Sequence, residues 1–224
     1  MGSEMCIRDR YLAEWLGLCP LVYGINGNEW NGVLQQAHKL RKEQKDTVDA
    51  IVIFAGTNDF FANVPLGEWY TDPICKKPRV ADTQLEYSRK YRMPLLKDDT
   101  FKGRINRVLH FLKTNYPDKQ VILLTPLHRA QARFSSENVQ PDEGFANQIG
   151  VYIDEYVQAV KEAGNVWAVP VIDLHSLSGL YPLNDSCSIY FHDADTDRLH
   201  PNATGHRRMA KTLLYQLLAL PATF

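Results

Sequence analysis

Ala50-Ile51-Val52-Ile53-Phe54-Ala55-Gly56-Thr57-Asn58-Asp59 carries the clearest fold signal in the chain. Six apolar residues in unbroken sequence mark a strand buried on both faces of a parallel sheet, because a half-exposed strand would alternate with polar residues. The run stops at a glycine followed by three polar residues, the composition of a loop leaving a strand end.

Working outward, strands and helices alternate. Upstream, residues 11–18 have helical spacing ending near Gly17, and residues 20–23 read as a short strand running into Gly24-Ile25-Asn26-Gly27-Asn28. Residues 30–45 form a helix with Val33, Ala37 and Leu40 on one face and a basic end at Lys39, Arg41, Lys42 and Lys45, where positive charge suits the helix dipole. Downstream, residues 60–99 have no clear period, and so long a connection is usually a functional loop or lid. Residues 100–116 read as a helix, stopped by Pro117. Residues 120–125 read as a second buried strand, followed by a loop from Pro126 to about Asp142. A long helix is expected over 143–164, with Ile149, Ile153, Val157 and Val160 inward, and a last strand over 166–174. A loop rich in Ser, Tyr and Asp leads to Asp197, and Pro201 opens a final helix to Leu220, as its missing N–H suits the first helical position. The alternation predicts a single domain with a parallel sheet covered by helices on both faces.

Composition narrows the class. The 224 residues are 45% hydrophobic and 23% charged, values of a globular domain. A net charge of −1 gives no electrostatic reason to bind nucleic acid or an anionic membrane. No apolar run approaches the ~20 residues that span a bilayer. Cys6, Cys19, Cys75 and Cys187 are scattered and read as incidental thiols. Residues 1–10 have neither an apolar core nor a cleavage site for a signal peptide, and Met5-Cys6-Ile7-Arg8-Asp9-Arg10 is similar to translated adapter sequence at the ends of metagenome-derived reading frames. Residues 1–10 are therefore expected to be a non-native lead, residues 11–224 the domain, and localisation stays open.

Three loops carry the chemistry. Asp197 and His200 are three residues apart, a spacing that lets the carboxylate curl back to the imidazole. A carboxylate on Nδ1–H fixes the tautomer and frees Nε2 as a general base. In an open parallel sheet ligands sit beyond the carboxyl ends of strands, where the Gly27 N–H and the Asn58 amide would converge as two oxyanion donors. With these residues in place the chain resembles the SGNH/GDSL hydrolase family. Gly24-Ile25-Asn26-Gly27, Gly56-Thr57-Asn58-Asp59 and Asp197-Arg198-Leu199-His200-Pro201 match its second, third and fifth blocks in order, over residues 11–220. The resemblance implies a serine ester hydrolase, with His200 as base, Asp197 as its orienter, Gly27 and Asn58 as oxyanion donors, and no cofactor or metal. By the same analogy the substrate would be a carbohydrate O-acetyl ester, or a short-chain acyl ester or lysophospholipid.

The family's first block, Gly-Asp-Ser at the end of the first strand, is absent. Ser3 follows Gly2 without a preceding strand, and Ser135, Ser136, Ser176, Ser178, Ser186 and Ser188 stand in loops without a motif. The nucleophile is therefore unknown. The reading expects the resemblance's three-layer α/β/α sandwich with a parallel, flavodoxin-like sheet, its first strand missing through truncation just upstream of Tyr11, and an inactive or nearly inactive chain, with a non-catalytic carbohydrate-binding relative as the alternative. Trp30 and His128 are candidate substrate contacts. Trp69, Tyr70 and Tyr91 could extend an aromatic wall, and Arg129 falls in a solvated loop. His192, Asp197 and His200 have ligand chemistry suited to zinc, but the ordinary reading of 192–197 is a polar rim. Asp173 and His175 read as structural, since i and i+2 on a strand end do not face each other.

Overall fold

The computed structural model describes residues 5–75 and 88–220. At its centre β1 (Ala50–Phe54), β6 (Gln120–Leu124) and β9 (Val171–Ile172) form a parallel sheet in the order β1-β6-β9. Alternation on β6 sends Val121 and Leu123 to one face and Ile122 and Leu124 to the other. The first face is covered by α2 (Trp30–Gln44), α4 (Phe101–Asn115) and α5 (Ile153–Trp167), through Leu40, Ile105, Leu109, Tyr156 and Val160. The second is covered by α7 (Ala203–Leu218), through Met209 and Leu213, with Leu12 of α1 (Met5–Leu16) packed against the same cluster. The expected three layers and parallel sheet are present.

Several boundaries differ from the sequence reading. Helix α1 begins at Met5, so part of the segment read as a lead is helical. Residues 20–23 form no strand, and Leu21 and Val22 are each 49% exposed. Apolar character makes a strand only where a ladder partner exists, and none is supplied there. Strand β1 in turn is not buried on both faces: Val52 is 48% exposed while Ile53 is 6% exposed. The region 60–99 is less featureless than expected. The helical turn α3 (Thr57–Phe61) opens it, and β2 (Tyr70–Thr71) pairs with β5 (Met93–Pro94) as β3 (Ile74–Cys75) pairs with β4 (Arg89–Lys90).

Helix α5 starts ten residues later than the apolar spacing suggested, because side chains hold 143–152 in turns. Asp142 accepts from the Gly144 N–H, and Asn147 accepts from the Val151 N–H while donating to the Phe60 carbonyl. Ile149, expected inward, is 46% exposed. The last strand is only two residues long, since α5 continues to Trp167 and α6 (Leu174–Leu177) begins directly after it. The loop after β6 contributes β7 (Ala132–Arg133) and β8 (Val139–Gln140) to an antiparallel sheet with β10 (Phe191–Asp193) and β11 (Asp197–Pro201), in the order β10-β11-β7-β8. Pro201 ends β11 rather than opening a helix. The N-cap of α7 is Asn202, whose side chain accepts from the Thr204 and Gly205 N–H groups.

Candidate active site

The candidate base His200 and its candidate orienter Asp197 both lie on β11. Asp193 accepts from the Asp195 and Thr196 N–H groups and closes the turn from β10. Beyond it, β11 is pinned to the segment after β6, with Arg198 N–H donating to the Gln131 carbonyl and Ala130 N–H to the Arg198 carbonyl. Asp197 is thereby held almost buried. Its Oδ1 accepts from the Leu199 and His200 N–H groups at 3.1 and 3.0 Å, and its Oδ2 lies 3.0 Å from His200 Nδ1. Burial by itself would raise the Asp197 carboxyl, but the His200 ring and the two backbone donors outweigh it and hold it below the usual carboxylate value. The His200 side chain is 41% exposed, with Phe134 edge-on at 5.5 Å. With Nδ1 committed to Asp197, Nε2 is the nitrogen left for chemistry.

The loops that bear the two candidate oxyanion donors are bonded to each other. Gly56 caps α3 at φ +123, and a Cβ there would lie 3.1 Å from Pro126 and 3.3 Å from Phe101. This places Asn58 in the first turn of α3, from which Nδ2 donates to the Asn28 carbonyl at 3.0 Å. Gly27, at φ +75, sits in the turn closed by Asn28 N–H and the Ile25 carbonyl. One Nδ2 hydrogen fixes the loop, and the second is available to a developing negative charge.

The segment after β6 joins the two pairs. Arg129 lies 5.2 Å over the Phe60 ring of α3 and donates to Gln140 at 2.6 Å, while its backbone N–H donates to Glu143. The next residue but one after Arg129 bonds to β11. The donors beyond β1 and the dyad on β11 are thus connected through the carboxyl end of the parallel sheet.

A family model described as GDSL-like lipase/acylhydrolase matches residues 8–208. The chain belongs to the GDSL-like lipase/acylhydrolase family. Among curated proteins none is a significant match. Similar solved structures share this fold. One is a possible lipase from Chitinophaga pinensis, 18% identical over 98% of this chain and 93% of that one, with a TM-score of 0.66. Another is a member of the lipolytic G-D-S-L family from Veillonella parvula, 15% identical over 96% and 88%, with a TM-score of 0.58. A third is a catalytic mutant of an acetylxylan esterase from Geobacillus stearothermophilus, 17% identical over 99% and 83%, with a TM-score of 0.56.

Several residues in this GDSL-like domain have other duties than the sequence suggested. Trp30 is fully buried, edge-on to Phe101 at 6.4 Å, and belongs to the core rather than to a substrate wall. Trp69 is likewise core, its Nε1 donating to Glu162. His128 is partly exposed but tied on three sides: Nδ1 is 2.7 Å from Glu143, and its ring lies 3.5 Å from that of His175 and 5.2 Å from Tyr181. Arg129 is 1% exposed rather than solvated, and desolvation lowers its pKa to about 10 against the pull of Glu143. Asp173 caps α6 and accepts from Thr125 and Ser176, not from His175. Ser135, Ser176, Ser178 and Ser186 make hydrogen bonds within their own loops, and Ser3 lies outside the described residues.

Sequence reasoning missed the buried cluster beside Asn58. Asp59 is 0% exposed, accepts from the Trp30 N–H at 3.0 Å and pairs with Arg104 at 2.8 Å. Burial pushes its carboxyl up to about 6, against the opposing pull of Arg104 and the Trp30 N–H. Asp59 could have been suspected from its place beside Asn58, but nothing local marks Arg104, 45 residues away.

Proposed function

We propose that this chain carries the base, orienter and oxyanion donors of a serine ester hydrolase. The single observation that carries this reading is the Asp197–His200 pair, with Nδ1 held at 3.0 Å by a nearly buried carboxylate on a half-exposed imidazole. In the reaction a serine Oγ attacks the ester carbonyl and gives its proton to His200 Nε2. The tetrahedral oxyanion is held by the Gly27 N–H and Asn58 Nδ2. Collapse breaks the ester C–O bond, and His200 returns the proton to the departing alcohol. Water, deprotonated by His200, then releases the acid and regenerates the serine.

We further infer that residues 11–224 form the hydrolase domain, and that the 224-residue chain alone is inactive or nearly so. The lack of a Gly-Asp-Ser motif in its sequence supports this reading. Loss of a nucleophile costs about 10⁴–10⁶ in kcat. Carbohydrate O-acetyl esters are the preferred substrate class and short acyl esters the next, a preference that rests on family analogy and fits the acetylxylan esterase among the similar folds.

The test compares p-nitrophenyl acetate hydrolysis by this chain, by the reading frame extended upstream, and by the extended protein carrying His200→Ala. Turnover confined to the extended protein and lost in the variant supports the reading. Equal turnover by the 224-residue chain would assign the nucleophile to one of its own serines. A folded extended protein without turnover on this or longer acyl esters would favour a carbohydrate-binding relative.

A further inference from the structure

The loop bearing Gly27 and the turn bearing Asn58 are far apart in sequence, and neither is rigid by composition. Three contacts pin them together. Asn58 Nδ2 donates to the Asn28 carbonyl. Asp59 Oδ2 accepts from the Trp30 N–H, the first helical donor of α2, which has no carbonyl of its own to bond. The third contact is made by a residue outside every family block. Arg104, in the first turn of α4, places Nη1 against both Glu29 and Asp59, and its Nε donates to the Asp98 carbonyl at 2.7 Å. Its side chain is 12% exposed and that of Asp59 0%, so water competes little for that contact, while Glu29, 33% exposed, is the more open partner.

We propose that Arg104 is a positioning residue, clamping Glu29 to Asp59 so that the Gly27 N–H and Asn58 Nδ2 stay converged on one point. The clamp reaches both donors through one residue on each side. Glu29 is two residues after Gly27, and Asp59 is the neighbour of Asn58. A single guanidinium bridging two carboxylates suits this task better than an ammonium, because its planar fork fixes direction as well as charge. The proposal rests on reading Gly27 and Asn58 as the oxyanion donors, but the order it predicts at those groups is measurable without turnover.

The experiment measures amide hydrogen exchange by NMR in the 224-residue chain, in Arg104→Lys and in Arg104→Met. The Asp59→Asn/Arg104→Met double variant is included because Arg104→Met alone leaves the buried Asp59 carboxylate uncompensated. Probes are the Asn28 and Trp30 N–H groups, bonded to the Ile25 carbonyl and to Asp59, and the Asn58 side-chain amide, with Leu123 on β6 as the core reference. Exchange at Asn28 and Trp30 should rise at least about tenfold relative to Leu123 in Arg104→Met and in the double variant, with Arg104→Lys intermediate. The Asn58 amide resonances should broaden or merge in the same order. Unchanged protection at Asn28 and Trp30 in folded variants would overturn the proposal. So would an equal fall at Asn28, Trp30 and Leu123, which marks a general loss of stability. An ester assay on the upstream-extended protein that fails while these probes respond would refute the hydrolase reading and leave the clamp standing.

Discussion

β1 and β6 are two five-residue strands of nearly the same apolar character, Ala50-Ile51-Val52-Ile53-Phe54 and Gln120-Val121-Ile122-Leu123-Leu124. They pair in parallel, residue for residue. Yet every residue of β6 is buried, whereas in β1 only Ile53 is. The difference lies in their neighbours. β6 has a strand on each side and a helical layer on each face, while among the described residues β1 has a strand, β6, on one side only, and Arg8 of α1 lies 5.7 Å from its Phe54 ring. Identical patterning thus gives a core strand in one place and a half-open edge in the other. The polar turn after β1 reverses the expectation again, since Asp59 is more deeply buried than Val52.

The sharpest way to break this comparison is to truncate one side chain in each strand. Leu123→Ala on β6 should cost about 2–5 kcal/mol, because the fully enclosed site leaves a cavity. Val52→Ala on β1 should cost under about 1 kcal/mol. Equal losses in urea unfolding would mean that β1 is covered in solution by something that buries it.

A second test uses the buried turn. A folded-state pKa of about 6 for Asp59 lies above the ordinary carboxylate value, so the native state holds this proton more tightly than the unfolded chain. Its contribution to stability is present at low pH and is lost as pH rises through 6. Measured against Asp59→Asn, which binds no such proton, the wild-type chain should gain about 2 kcal/mol from about pH 7.5 down to about pH 4.5. A flat difference would show that Arg104 fully compensates the ionised carboxylate. Asp197 has the opposite sign: its lowered pKa stabilises the native state above the ordinary carboxylate value, and that contribution is lost as pH falls below it.

The smallest expected effect is at the start of α7. Asn202→Ala removes a cap that accepts from two N–H groups and should cost about 1 kcal/mol in thermal or urea unfolding. Its side chain also donates to the Ile189 and Phe191 carbonyls, across the strand that carries the dyad. A loss well beyond the cap value would show that Asn202 also holds β10 and β11 in register.

The layers, the helices α2 and α4 and the strand β6 were legible because their apolar spacing is long and regular. The order of the three family blocks was legible because each places a short polar motif after a strand or before a helix. Residues 20–23 were misread because strand propensity does not state whether a ladder partner is present. The start of α5 was misread because Asp142 and Asn147 satisfy the backbone of 143–152 locally, which no apolar period can register. Trp30 was misread because an aromatic beside a glycine loop looks the same in sequence whether it faces a ligand or the core.

The class of the fold, the family and the Asp197–His200 pair follow from the order of residues, since the pair's partners are three apart and need only a local turn to meet. The edge position of β1, the burial of Trp30 and the buried bridge between Arg104 and Asp59 follow from packing. Those outcomes depend on which surfaces come to cover one another, and burial is a property of neighbours that a residue's own identity does not encode.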